Sequence, residues 1–293
     1  MIIQIYEIQT PQEAEALIQL GVDHIGSVIL DRNNWQNPEI REAVRLTEGT
    51  KSRSSLIPLF RDLEGILQIL DYYQPDIVHF CENIPLTYGD GVPLIRVTDE
   101  LRQIQEVVKH RFPTVQIIRS IPIPAAITHP IDASIRKQIN HDAIQKSHSV
   151  TDAGDDPEQT SLRNAIAIMV KIFTPVTDFF MTDTVLGMYS GDKSGGGALQ
   201  PVAGFVGITG MVCDWEIANW LTKISPLPVI LAGGLGFENV FTALCKVQPA
   251  GVDSCTRTNA MDSQGRPIRF QKDFTKVRRF TEEVRRAETL FSQ

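Results

Sequence analysis

Short β-branched runs alternate with amphipathic helical stretches along nearly the whole chain, and this constrains the fold more than any other feature. The runs fall at 2–6, 24–30, 56–60, 76–81, 115–121, 179–183, 228–232 and 251–254. Between them, Thr10 is placed to cap a helix with Pro11 at its first position and Glu13 completing a capping box. Ala14, Leu17 and Ile18 share one apolar face, and Gly21 stops that helix. Asn37–Pro38 opens a second helix with Ile40, Ala43 and Val44 inward, and Asp214 opens another carrying Ile217, Trp220 and Leu221. Val240, Ala243, Leu244 and Val247 mark the next, and Val277, Phe280 and Val284 mark the last. Eight strands alternating with helices predict an α/β protein, one (β/α)8 TIM barrel over 1–293, although an open doubly wound sheet produces a similar string.

Two stretches break the repeat. Residues 122–160 form a long, partly acidic insertion after the fifth strand, of a length suited to a lid or an interaction surface. Residues 187–210 are glycine-rich and follow the sixth strand.

Charge and apolar content narrow the function classes. The formal net charge of −7 lacks the basic footprint that nucleic acid requires. No apolar run reaches the ~18 residues of a membrane span, and the amino terminus lacks signal-peptide features. Cys81, Cys213, Cys245 and Cys255 stand far apart, which predicts reduced thiols in a soluble cytoplasmic protein. A homo-oligomer is left open. His79 and Cys81 supply two candidate metal ligands but no third stands at metal-site spacing, so no metal is expected. No P-loop or GxGxxG follows a strand, so no cofactor is expected either.

In a barrel of this kind the carboxyl ends of the strands carry function, and the loops after strands seven and eight commonly bind phosphate. Strand seven ends in Gly233–Gly234, which lets backbone approach an anion, with a helix start behind it. Strand eight ends in Asp253 and Ser254, with Thr256 and Arg257 adding a hydroxyl and a charge. Either turn alone reads as an ordinary strand-to-helix connection; their pairing on adjacent strands predicts a site for a phosphorylated small molecule.

The stretch PVILAGGLGFENV followed by GVDSCTRTN closely resembles the end of phosphoribosylanthranilate isomerases, which read PVILAGGL-x-PENV and GVD-x-SSG. GITGMVCDW (Gly207, Thr209 and Gly210 within it) is similar to the family's Gly-x-Thr-Gly…Asp-Trp loop, and FFMTDT to its sixth-strand end. The resemblance covers most of 1–83 and 177–287, and implies a phosphosugar isomerase running an Amadori rearrangement. It also implies an acid and a base on opposite sides of the sugar carbons. Asp183 stands at the position of the family's acid; an aspartate there is otherwise a turn cap.

The anthranilate end departs from the pattern. The family's Lys-Ile-Cys-Gly run, which holds its base, becomes Gln4-Ile5-Tyr6-Glu7, so Tyr6 takes the cysteine position. Asn34 takes the position of the arginine that receives the anthranilate carboxylate, with Arg32 the nearest cation. Replacement bases are then sought in Glu7 and in His79 and Cys81, which are two apart and share a strand face. The His/Cys pair suits proton transfer if inward and core packing otherwise. The expectation is an isomerase with altered substrate or base, the alternative a phosphometabolite-binding barrel without catalysis.

Overall fold

A computed structural model describes residues 1–84, 92–126, 157–186 and 200–291. Eight parallel strands close a barrel in sequence order: β1 (Ile2–Ile5), β2 (His24–Ile29), β3 (Arg53–Pro58), β4 (Ile77–Phe80), β5 (Gln116–Pro124), β6 (Phe179–Val185), β7 (Val229–Leu231) and β8 (Gly251–Ser254), with β8 pairing back onto β1. Helices α1 (Pro11–Gln19), α2 (Pro38–Arg45), α3 (Leu63–Tyr73), α4 (Val92–Arg111), α5 (Pro157–Phe173), α6 (Trp215–Ile224), α7 (Val240–Val247) and α8 (Phe274–Phe291) alternate with them. The chain is therefore a (β/α)8 barrel, not an open sheet. Among the described residues no helix is long and apolar enough to cross a membrane.

Local chemistry accounts for the helix starts. Thr10 and Glu13 exchange side-chain and backbone hydrogen bonds as a capping box, with Pro11 at N1. Asn37 accepts from the Glu39 and Ile40 amides, and Asp214 from those of Glu216 and Ile217. Gly21 leaves α1 at φ 73°, a conformation a Cβ would strain.

The core lies in layers. The main clusters pack the outer face of the sheet against the helices, Ile3, Ile5, Leu17 and Phe280 among them. Inside the barrel, Ile77, Ile118, Met181 and Ile230 form a small apolar plug. A third cluster, with Tyr6, Val28, Ile57, Cys81 and Val206, sits at the carboxyl-end mouth.

Three boundaries differ from the sequence expectation. Strand β5 continues through Pro124, because its Ile121, Pro122 and Ile123 stay paired with β6 through Thr184. The excursion begins later than residue 122, and α5 already starts at Pro157; residues 127–156, with His129, His141 and His148, lie outside the described residues. So do 187–199 of the glycine-rich stretch. Strand β3 begins at Arg53 rather than 56, since Arg53 and Ser54 pair with His24 and Ile25. An antiparallel hairpin, β9 (Asn259–Met261) with β10 (Pro267–Lys272), follows β8 and was not expected.

Candidate functional site

The strand ends converge on a cavity enclosing about 660 Å³ of unoccupied space, its open mouth included. Tyr6, Glu7, His79, Cys81, Asp183, Thr209, Gly210, Gly233, Gly234, Asp253, Thr256 and Arg257 all line it.

Three loops meet on one side. A Cβ on Gly234 (φ 59°) would lie 2.5 Å from the Met211 carbonyl carbon, so glycine is what lets the β7 loop touch the β6 loop. Gly210 approaches Thr256, and Gly236 approaches Arg257. Asn239 stitches the β7 turn, accepting from Gly236 N (2.9 Å) and donating to Gly234 O (3.0 Å). Helix α7 starts only at Val240, so the helix start lies farther from Gly234 than the sequence suggested, and the Gly236 amide is already taken. Ser254 also differs from expectation. Its hydroxyl is buried and donates to Leu235 O at 2.7 Å, tying the two loops together, and it does not line the cavity. Gly207 does not line it either; it lies against Asp183, where a Cβ would fall 2.4 Å from Oδ2.

Ile208, between them, holds φ 62°, a strained conformation for a β-branched residue, and lines the cavity. Arg257 is the one cation lining the cavity among the described residues.

The opposite wall is apolar: Val28, Ile57, Leu59 and Val206, with Tyr6 and Cys81. Sequence reasoning missed this wall, although Val28 and Ile57 lie on the same strand faces as Gly26 and Ser55 at the two-residue period. Neither Asn34 nor Arg32 lines it. Asn34 is exposed. Arg32 pairs with Asp62 through Nε at 2.8 and 2.9 Å and packs on Gly65.

Tyr6 points inward over Gly26, where a Cβ would come within 2.0 Å of the ring. Its hydroxyl meets Ser55 Oγ at 2.6 Å and His79 Nδ1 at 3.0 Å, and His79 Nε2 meets Ser120 Oγ at 2.8 Å. This polar chain crosses the barrel with both imidazole nitrogens occupied. Burial pushes the Tyr6 phenol well above its ordinary value and holds His79 down to about 3, with Arg119 adding to the latter. Burial, then Glu82 and Asp183, likewise raise the Cys81 thiol. His79 and Cys81 thus share the inward face, but as a neutral ring and an un-ionised thiol.

Glu7 turns at φ 69° toward the β9–β10 hairpin. Arg269 Nε donates to Oε1 at 2.7 Å and Asn259 Nδ2 to Oε2 at 2.9 Å. Burial alone would raise this carboxyl; Asn259, Lys272 and Arg269 outweigh it and hold it below the ordinary range. No local pattern marks Asn259, Arg269 or Lys272 as its partners.

Asp183 is half-buried at the end of β6. Exclusion of water, and Asp253 second, push its carboxyl up to about 8 against the Thr184 amide that donates to it. Asp253, 6% exposed, is raised by burial to about 7 against a hydrogen bond from Gln4 and the charge of Lys272. Burial, and for Asp183 the neighbouring Asp253, thus raise both carboxyls toward neutrality, so the pair can hold and release a proton near neutral pH. Among the described residues no group of three or more His, Cys, Asp or Glu side chains is arranged to hold a metal ion.

No protein-family model matches the chain. The N-(5'-phosphoribosyl)anthranilate isomerase of Haloarcula marismortui is 30% identical over 231 residues, spanning 76% of this chain and 92% of that protein. Its counterpart in Methanosarcina acetivorans is 23% identical over 286 residues, 97% of this chain and 92% of the relative. Among solved structures, the Pyrococcus furiosus isomerase of the same name superposes with a TM-score of 0.54 at 16% identity, over 98% of this chain and 99% of that one. A phosphoribosyl anthranilate isomerase in complex with reduced 1-(o-carboxyphenylamino)-1-deoxyribulose 5-phosphate gives 0.53 at 15%, over 97% and 99%. At such identities the structural likeness speaks for the fold.

Proposed function

The chain belongs to the N-(5'-phosphoribosyl)anthranilate isomerase family, and from that premise we propose that it isomerises a phosphorylated aldosylamine by an Amadori-type rearrangement. The observation that carries this is Asp183, a carboxyl raised to about 8 at the mouth of a cavity whose neighbouring side is built from the 207–211, 233–236 and 254–257 loops. The phosphate is held by those loops, with Arg257 supplying the charge. Asp183, protonated at neutral pH, donates its proton to the ring oxygen as the sugar opens. Asp183 is then the general acid, not a turn cap.

The group on the sugar nitrogen faces Val28, Ile57, Leu59 and Val206, a wall with no cation among the described residues. Among the described residues an anthranilate carboxylate finds no ion pair there, which supports an apolar amine and a substrate that differs from the relatives' own. The non-catalytic alternative is not favoured, because the relatives that the chain matches over most of its length are isomerases.

Two glycosylamines test the reading: N-(5'-phosphoribosyl)anthranilate, and the aniline analogue lacking the carboxylate. Turnover of the aniline compound is expected to exceed that of the anthranilate compound. The latter is expected to run at least ~100-fold below a typical family member, because Tyr6 replaces the family's cysteine base and such a group is typically worth 10²–10⁴-fold. Turnover of neither compound by protein that binds phosphate would sink the proposal. Complementation of a tryptophan auxotroph at ordinary expression would sink the altered amine.

A further inference from the structure

An Amadori rearrangement needs a base as well as an acid, and the position that holds cysteine in the family's Lys-Ile-Cys-Gly run holds Tyr6, a phenol locked between Ser55 and His79. Glu7 has both oxygens occupied by the β9–β10 hairpin, and His79 has both nitrogens occupied. One carboxyl remains. Among the described residues three acids are buried almost completely, and two of them are ion-paired: Glu82 with Arg119, and Glu7 with Arg269. The third, Asp253, lines the cavity, and its hydrogen bond comes from a neutral amide, Gln4 Nε2 at 3.2 Å. A buried carboxylate kept for stability is normally paired with a cation.

The ladder places this group relative to the acid. Met181 pairs with Ile230 and Ile230 with Gly251. Asp183 and Asp253 each lie two residues further along, so both point inward, two strands and about 10 Å of backbone apart. Side chains reaching in from that separation can flank the first carbons of a sugar. Gln4 in turn is fixed from behind. Its Oε1 meets His24 Nδ1 at 3.0 Å, which places the imidazole proton on Nδ1, since the amide oxygen can only accept. The family's run has lysine where this chain has Gln4. The thiol and the neighbouring ammonium are thus both absent, and the carboxyl beside them is left without a touching cation.

We propose that Asp253 is the general base of the rearrangement, and that Gln4, oriented by His24, is its positioning residue. The assignment rests on the isomerase reading above. Asp183 gives its proton to the ring oxygen while the C1–O bond breaks and the nitrogen lone pair forms the iminium. Asp253 then takes the C2 proton, and the released pair forms the C1=C2 bond and neutralises the nitrogen. Ketonisation moves the proton from Asp253 to C1 and the C2 hydroxyl proton to Asp183, restoring both groups with no net redox change. The charged and titratable groups around Asp253 are Asp183 on β6, Tyr6 and Glu7 after β1, Lys272 and Arg269 on β10, and Cys255 and Arg257 after β8. Lys272 is committed to Cys255 O and Asn259, and Arg269 to Glu7.

The test uses the full chain and the two glycosylamines. Asp253→Asn should lower kcat by 10²–10⁴-fold while inorganic phosphate affinity stays within threefold of wild type. Gln4→Lys should move the acidic limb of the kcat/KM profile down by at least one pH unit, an effect expected only if the carboxyl beside residue 4 sets that limb. If Asp253→Asn does not fold, the Gln4→Lys limb decides alone. Active wild type with Asp253→Asn within fivefold of it, or an acidic limb unmoved in Gln4→Lys, overturns the assignment but not the isomerase reading. Wild type that binds phosphate and turns over neither compound overturns both.

Discussion

Replacing Tyr6 with phenylalanine separates packing from chemistry at the position where the family keeps its base. The ring stays over Gly26, and the change deletes one hydroxyl that meets Ser55 Oγ at 2.6 Å and His79 Nδ1 at 3.0 Å. Both partners are buried, and His79 keeps only its contact with Ser120. Leaving buried polar groups unpaired costs about 1–3 kcal/mol. Taking ~2 kcal/mol and roughly 2–4 °C per kcal/mol for a large domain, the melting temperature should fall by about 4–8 °C. Turnover per folded molecule should change less than about threefold, because the phenol, raised by burial, is never the base. Scanning calorimetry and initial rates on the same preparation measure both. An unchanged melting temperature with a hundredfold loss of turnover would return Tyr6 to the chemistry and refute the account of the polar chain.

Gly26→Ala drives a methyl into the Tyr6 ring at 2.0 Å and should destabilise by at least about 1–3 kcal/mol; adding Tyr6→Cys should recover most of that loss, and additive losses in the double mutant would refute the contact. Asp183→Asn should lower turnover 10²–10⁴-fold with phosphate affinity nearly intact; loss of stability with turnover unchanged would make Asp183 a turn cap. The same variant has a pH signature. A carboxyl raised to about 8 contributes stability fully present below its unfolded value near 4 and lost as pH rises through 8, so the melting-temperature advantage of Asp183→Asn over wild type should be larger at pH 9 than at pH 5. Phosphate or sulfate should lodge between the 233–236 and 254–257 loops, and Gly234→Ala, strained at φ 59° and blocked by Met211, should weaken phosphate-dependent thermal stabilisation at least tenfold in concentration; a folded variant binding phosphate like wild type would refute the site.

The elements and their order are legible in the chain read residue by residue. Periodicity and capping are local, so Thr10 with Glu13, Asn37 with Pro38, and Asp214 mark helix starts without reference to anything distant. The order of strand ends likewise put Asp183, Gly234 and Thr256 at one mouth once the barrel closed. The state of each polar group is fixed only in the folded barrel. Glu7 reads as a free carboxylate until Arg269, 262 residues away, closes on it, and Asp253 reads as one more loop acid until Gln4, 249 residues away, is seen beneath it. Ser254 looked like a ligand for phosphate, but its hydroxyl is spent on Leu235. These partnerships are made across a closed barrel by residues with no sequence relationship to one another. Protonation follows from the burial and charge that such partnerships create, and a list of residues in order carries neither.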